Sequence, residues 1–145
     1  MLSKKAEYSL CALIMLARNY NKGPILISKI AESENIPKKF LENILYELKS
    51  LGVVMSKKGK GGGYFLKKKP EKVNLVDIIR HFDGAIALLP CVSDKYYKKC
   101  CHNKDENICG LKYILKKVRD ESVRILENNT LADAVQVELK KINKK

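Results

Sequence analysis

Val53-Val54-Met55-Ser56-Lys57-Lys58-Gly59-Lys60-Gly61-Gly62-Gly63-Tyr64-Phe65-Leu66-Lys67-Lys68-Lys69 is the stretch on which the reading of this chain turns. A pair of short β-like runs, Val53-Val54-Met55 and Tyr64-Phe65-Leu66, flanks a glycine cluster, which is the pattern of a β-hairpin. Glycine tolerates positive φ and lets the backbone lie against a phosphate, while lysines on both sides supply positive charge. From Ser56 to Lys72 the chain carries Lys57, Lys58, Lys60, Lys67, Lys68, Lys69 and Lys72 against one acid, Glu71. A flexible hairpin with solvated surface lysines fits the segment equally well when it is taken alone. What precedes it gives it direction.

Upstream, Tyr8, Leu10, Cys11, Leu13, Ile14, Leu16 and Ala17 recur at helical spacing and stop near Asn19–Gly23, with Pro24 beyond. Ile25-Leu26-Ile27 reads as a short strand or extended entry, and Ser28 as the N-cap of a short helix running from Lys29 to Ser33 or Glu34. Asn35-Ile36 makes a turn. Pro37 suits the first position of the next helix, whose inward stripe is Phe40, Leu41, Ile44, Leu45 and Leu48 and which stops at Gly52. A short helix, a tight turn and a longer amphipathic helix predict a helix-turn-helix, and the glycine hairpin makes it a winged one. The expected fold class is mainly α with a small β-wing.

The second helix of such a motif offers its first turns to base edges. Lys38 and Lys39 stand there, with Glu42 and Asn43 one turn later. Lysine can donate to guanine, asparagine suits adenine, and glutamate can accept from cytosine. Ser28 and Lys29 would touch phosphate, and Lys57, Lys58, Gly59, Lys60, Gly61 and Tyr64 of the wing would lie on the flank. A polar, solvated helix face is the competing description of the same residues. The charge favours DNA: 29 Lys and Arg against 16 Asp and Glu give a net +13 over 145 residues, a field that attracts phosphate polyanions. The basic tail Lys140–Lys145 reads as a frayed, solvating end.

Composition also excludes other classes. A hydrophobic fraction of 46% supports a compact core, in one domain or one domain plus an oligomerisation element. No apolar run approaches the ~20 residues of a membrane span. Glu7 and Arg18 bracket the apolar opening and no small-residue cleavage site follows, unlike a signal peptide. A cytoplasmic protein with neither membrane partner nor small-molecule substrate is expected. No enzyme is expected either: there is no Walker-type phosphate loop, His81 and His102 are the only histidines, and no cysteine–histidine pair has a catalytic setting. A basic RNA-binding protein would share the charge, but most aromatics here lie near apolar runs and not at stacking positions.

Beyond Pro70, Val73–Phe82 reads as a helix with Leu75, Ile78 and Ile79 inward. Residues 83–110 break all periodicity and hold four of the five cysteines. Cys91, Cys100, Cys101 and Cys109 form the pattern C-x8-C-C-x7-C, with His102 inside it. Thiolates at this density suit zinc or an iron–sulfur cluster, although the paired CxxC knuckles of a zinc ribbon are missing. Buried or idle thiols are the alternative, and Cys11 is assigned to core packing. Lys95, Lys98, Lys99 and Lys104 would favour thiolates or an anionic cluster, or are plain surface charge. Leu111, Ile114, Leu115, Val118, Ser122, Ile125 and Leu126 then describe one long helix with an apolar stripe. That stripe packs either on the domain's own first helix or in a two-helix dimer interface that sets two recognition helices on neighbouring half-sites. Asn128-Asn129 ends it, and Thr130 can cap a last short helix through Val137. The units expected are residues 1–82, 83–110 and 111–145.

Several of these marks occur together. They are Glu7-Tyr8-Ser9-Leu10, Ile30-Ala31-Glu32, Phe40-Leu41-Glu42-Asn43-Ile44-Leu45, Leu48–Val54, the wing Lys58–Leu66, three cysteines ahead of a long helix, and Asn128-Asn129-Thr130-Leu131-Ala132-Asp133. With them the chain resembles, over nearly its whole length, the winged-helix regulator family of IscR, NsrR and CymR. The resemblance implies a homodimeric repressor of double-stranded operator DNA, paired through the long helix. It also implies a [2Fe-2S] or [4Fe-4S] cluster in the sensor loop 83–110. Cys91 and Cys109 match the first and third family cysteines, and Cys101 or Cys100 the middle one. IscR-like members carry a histidine three residues after the last cysteine; here that position is Lys112, which cannot ligate when protonated. NsrR-like members use an acid at the start of the first helix, matched by Glu7, and His102 or the spare cysteine are further candidates for the fourth ligand. The signal implied is iron–sulfur status, nitric oxide or redox state. CymR-like members imply the alternative, a cluster-free regulator responding through thiol oxidation or a protein partner.

Overall fold

The computed structural model describes residues 1–100 and 105–144. Ser3 opens helix α1 (Lys4–Arg18): its Oγ accepts the Ala6 N–H at 3.1 Å, and Ala12, Leu13 and Leu16 bury one face. The backbone N–H and hydroxyl of Ser3 both donate to the Asp83 carboxylate. The start of α1 is thereby tied to the end of α4 (Leu75–Asp83).

Helices α2 (Ile27–Ser33) and α3 (Lys38–Ser50) form the helix-turn-helix. Ile30 and the stripe Leu41, Ile44, Leu45 and Leu48 are fully buried. Asn35 turns the chain with φ 51°, and Gly52 follows α3 with φ 68°, the left-handed stop that glycine supplies most cheaply. Three local expectations need correction. Ser28 is not an N-cap: α2 already begins at Ile27 and has no side-chain cap. The reason is Ile25, whose N–H and C=O both pair with Tyr64 at 2.8 Å, so the extended backbone ends there and the helix starts at once. Pro37 holds the capping position and not the first helical one. Phe40 is exposed, with its ring edge-on to Tyr8 at 5.7 Å.

The wing is the antiparallel pair β1 (Val54–Lys57) and β2 (Gly63–Leu66), with Val54 opposite Leu66 and Lys57 opposite Gly63. Val54 and Leu66 are buried, so the base of the hairpin is part of the core. A 3-10 turn at Pro70–Lys72 leads to α4, which starts at Leu75 and not at Val73. Val73 and Asn74 are otherwise engaged: Asn74 bridges Thr130, and the Val73 carbonyl accepts the Leu131 N–H at 3.0 Å. Val76, not Leu75, is buried beside Ile78 and Ile79.

Helix α5 (Gly110–Glu127) lies on α4 and on a 3-10 turn at Pro90–Val92, not along α1. Thr130 and Asp133 form a reciprocal capping box for α6 (Leu131–Ile142). This helix runs beyond Val137, and residues up to Ile142 are helical where a frayed tail was expected. It packs on α1 and places Leu131, 0% exposed, in the same core as Leu13 and Ile78. The start of α6 thus joins the winged-helix core through Leu131, while Val137, Leu139 and Ile142 are exposed. Among the described residues no helix is long and apolar enough to cross a membrane.

Candidate DNA-reading surface and cysteine segment

Burying Leu41, Ile44, Leu45 and Leu48 turns the opposite face of α3 outward. Lys39, Asn43, Tyr46 and Ser50 run along its centre, with Lys38 and Glu42 beside them, all exposed. Tyr46 escaped the sequence reading; the signal was its place one turn beyond Glu42, off the apolar stripe. Ser28 and Lys29 are exposed in the first turn of α2. Lys49 Nζ donates to Ser56 Oγ at 2.9 Å and so ties α3 to the wing.

The wing glycines divide by role. Gly59 and Gly61 have φ of 91° and 74° with open space where a β-carbon would point, so there glycine serves the turn. A β-carbon at Gly62 would collide with the Lys57 carbonyl oxygen, and one at Gly63 with that of Ile25. These two glycines serve backbone packing and not an approach to phosphate. Lys57, Lys58 and Lys60 are exposed. Tyr64, expected among the DNA contacts, is half-buried against the core and lines a cavity of about 300 Å³ with Leu16, Tyr20 and Ile25. It braces the wing from behind.

Ion pairs brace α3 and α1 as well. Lys5 Nζ lies 2.6 Å from Glu47 on α3, and His81 Nε2 of α4 lies 3.5 Å from the same carboxylate. Arg18 binds Glu138 of α6 through two nitrogens at 2.7 and 2.8 Å, and Glu34 stands 3.5 Å away.

Cys91 is buried on the Pro90–Val92 turn. The side chain of Arg119 on α5, 10% exposed, donates to the Val92 carbonyl at 2.5 Å and to Asp94 at 2.6 Å, and also pairs with Asp120. The turn carrying Cys91 is thus pinned to α5. Cys109 caps α5, its Sγ accepting the Lys112 N–H at 3.4 Å. Sequence reading missed Glu106, which organises the rest. Its carboxylate accepts Lys112 Nζ at 2.7 Å, the Tyr97 hydroxyl at 2.5 Å and the Cys100 N–H at 2.5 Å. The Lys112 ammonium, then Tyr97 and Cys100, hold the Glu106 carboxyl down at about 2. The same contact raises Lys112. On α1, Cys11 is half-buried and its thiol is pushed up by burial first and by Glu34 and Glu7 next.

Cys101 and His102 lie outside the described residues. Glu7 pairs with Lys4 at 2.7 Å. Among the described residues no three His, Cys, Asp or Glu side chains gather into a group able to hold a metal ion.

The outer stripe of α5 is bare. Leu111, Ile114, Val118 and Ile125 are exposed, and Leu115, Ser122 and Leu126 are half-buried. Beside it runs a groove of about 600 Å³, lined by Leu2, Ile79, Ile86, Leu88, Val118 and Leu126 among others.

Comparison with known proteins agrees with this architecture. Residues 2–137 match the family model Rrf2, described as an iron-dependent transcriptional regulator. The chain is 35% identical over 134 residues to the HTH-type transcriptional regulator NsrR of Bacillus licheniformis, covering 92% of this chain and 91% of that one. Among solved structures it resembles CymR, the global cysteine regulator of B. subtilis, with a TM-score of 0.79, 26% identity, and 94% and 97% of the two chains covered. It also resembles IscR of T. potens, with a TM-score of 0.75, 27% identity, and 95% and 88% covered. The chain belongs to the Rrf2 family of winged-helix transcriptional regulators.

Proposed function

We propose that the protein is a cytoplasmic, homodimeric repressor that reads double-stranded operator DNA with α3 and the wing. The observation that carries this is the outward stripe of α3, with Lys38, Lys39, Glu42 and Asn43, tethered beside the exposed wing lysines through Lys49 and Ser56. The bare stripe of α5, from Leu111 to Leu126, supplies the dimer contact that brings two such surfaces to neighbouring half-sites. Fluorescence anisotropy with duplex DNA and single-stranded RNA tests the reading. Tighter binding to a specific duplex, weakened in Lys39→Ala and Asn43→Ala, supports it; RNA bound at least as tightly overturns it.

The cysteine segment is the sensing element in this reading. A change around Cys91 reaches α5 through Arg119 and alters how the two α3 helices are set. Such a signal shifts DNA affinity only by its differential preference for the two arrangements, and a coupling of ~1–3 kcal/mol would change affinity about 5–150-fold. The family's description as iron-dependent supports an iron–sulfur cluster on Cys91, Cys109 and either Cys101 or Cys100, completed by Glu7 or His102. When bound, such a cluster would supply sensitivity to iron supply, nitric oxide or oxidants. The likeness to CymR supports a second reading, a cluster-free regulator answering through thiol oxidation or a protein partner. An anaerobic absorption spectrum with iron and sulfide assays separates them: stoichiometric iron and sulfide support the cluster, and iron-free protein that resists reconstitution removes it.

A further inference from the structure

Tyr46 is 71% exposed at the middle of the polar stripe of α3. A helical side chain lies over the turn N-terminal to its own Cα, so the Tyr46 ring covers the turn that carries Asn43. The two side chains line one shallow depression of about 290 Å³, shared with Phe40, Lys5 and Glu47. Phe40, on the other flank of Asn43, is also exposed. Asn43 thus lines one depression with two exposed aromatic side chains, Phe40 and Tyr46, on the polar side of α3.

In the major groove of a duplex the bases are stacked out of an aromatic side chain's reach, and the one apolar group offered is the thymine methyl. The same A·T pair offers the adenine N6 donor and N7 acceptor, which an asparagine amide matches in bidentate fashion. An amide beside an exposed ring is therefore complementary to both features of a single base pair.

We propose that Tyr46 is a specificity-determining residue, its ring resting on a thymine methyl while Asn43 reads adenine, so that each half-site contains an A·T pair at the centre of the α3 footprint. This rests on the reading of α3 as the recognition helix. The contact is made by the ring and not by the hydroxyl, which distinguishes it from a phosphate contact that would carry no sequence information.

The test starts from the duplex that the full-length protein enriches from a random pool. Thymines in that duplex are replaced one at a time by deoxyuridine, which removes only the methyl. One position per half-site is expected to weaken wild-type binding by about fourfold, the value of one buried methyl-sized group. Tyr46→Ala should bind the thymine and deoxyuridine duplexes equally, while Tyr46→Phe keeps the full discrimination. Because Tyr46 lies outside the core, circular dichroism of both variants should match the wild type. Deoxyuridine without effect at every position, Tyr46→Phe losing as much as Tyr46→Ala, or discrimination persisting in Tyr46→Ala each overturns the assignment and leaves the DNA reading standing. If no duplex is enriched at all, the DNA reading fails and the assignment falls with it.

Discussion

Gly63 and Ile25 meet backbone to backbone: a β-carbon at Gly63 would overlap the Ile25 carbonyl oxygen, and Gly63 itself holds φ 146°. The adjoining Tyr64 exchanges two 2.8 Å hydrogen bonds with Ile25. The wing is therefore a two-stranded hairpin bridged at Tyr64 to the entry to α2, not a hairpin hanging from α3. Gly63→Ala must open this contact and strain the backbone, at a cost of about 1–3 kcal/mol. Thermal unfolding should show the loss, with weaker duplex binding in the same variant. Gly61→Ala, which meets open space, is expected to strain only the turn.

The last helix belongs to the core. Leu131 is fully buried, so Leu131→Ala is expected to destabilise the protein by about 2–5 kcal/mol. Thr130→Ala, which breaks the capping box, should cost about 1 kcal/mol. Denaturant unfolding monitored by circular dichroism measures both. A truncation before residue 130 should fail to give a stable winged-helix domain.

Ile114 and Val118 are 59% and 44% exposed, with apolar neighbours at helical spacing on α5. Ile114→Glu and Val118→Glu are expected to leave the monomer folded and to abolish dimerisation. Sedimentation velocity against unfolding temperature separates those effects. A monomeric wild-type protein would remove the dimer reading.

The cysteine segment should loosen in acid. Glu106 has its carboxyl lowered to about 2 by Lys112, Tyr97 and Cys100. A carboxyl depressed on folding contributes its full stabilisation above the ordinary value near 4.5 and loses it as pH falls toward about 2. Hydrogen exchange at the Cys100 amide should accelerate in that window relative to the intrinsic rate. In Glu106→Gln it should be fast at neutral pH and insensitive to acid.

The helix-turn-helix and wing were legible because they rest on local chemistry: the 41, 44, 45 and 48 spacing, Gly52 as a stop, and glycines between two lysine-rich β-runs. What the sequence hid is long-range. Nothing local says that Ile25 pairs with Tyr64, so neither the start of α2 at Ile27 nor the half-burial of Tyr64 is written in its neighbours. Leu131 resembles any helix-start leucine, and only its contact with Val73 across the fold assigns α6 to the core. Glu106 gave no signal because its three donors, Tyr97, Cys100 and Lys112, converge through an aperiodic segment. Tyr46 lay on the polar side of a stripe drawn to find the apolar one.

Selection of random duplexes by the protein decides whether α3 and the wing read duplex DNA. The expected result is a two-fold symmetric motif with half-sites centred about 34 Å or a multiple apart, lost or degraded when Lys39→Ala and Asn43→Ala are combined. Enrichment of no sequence over the starting pool, or the same motif selected equally well by the double variant, would contradict it.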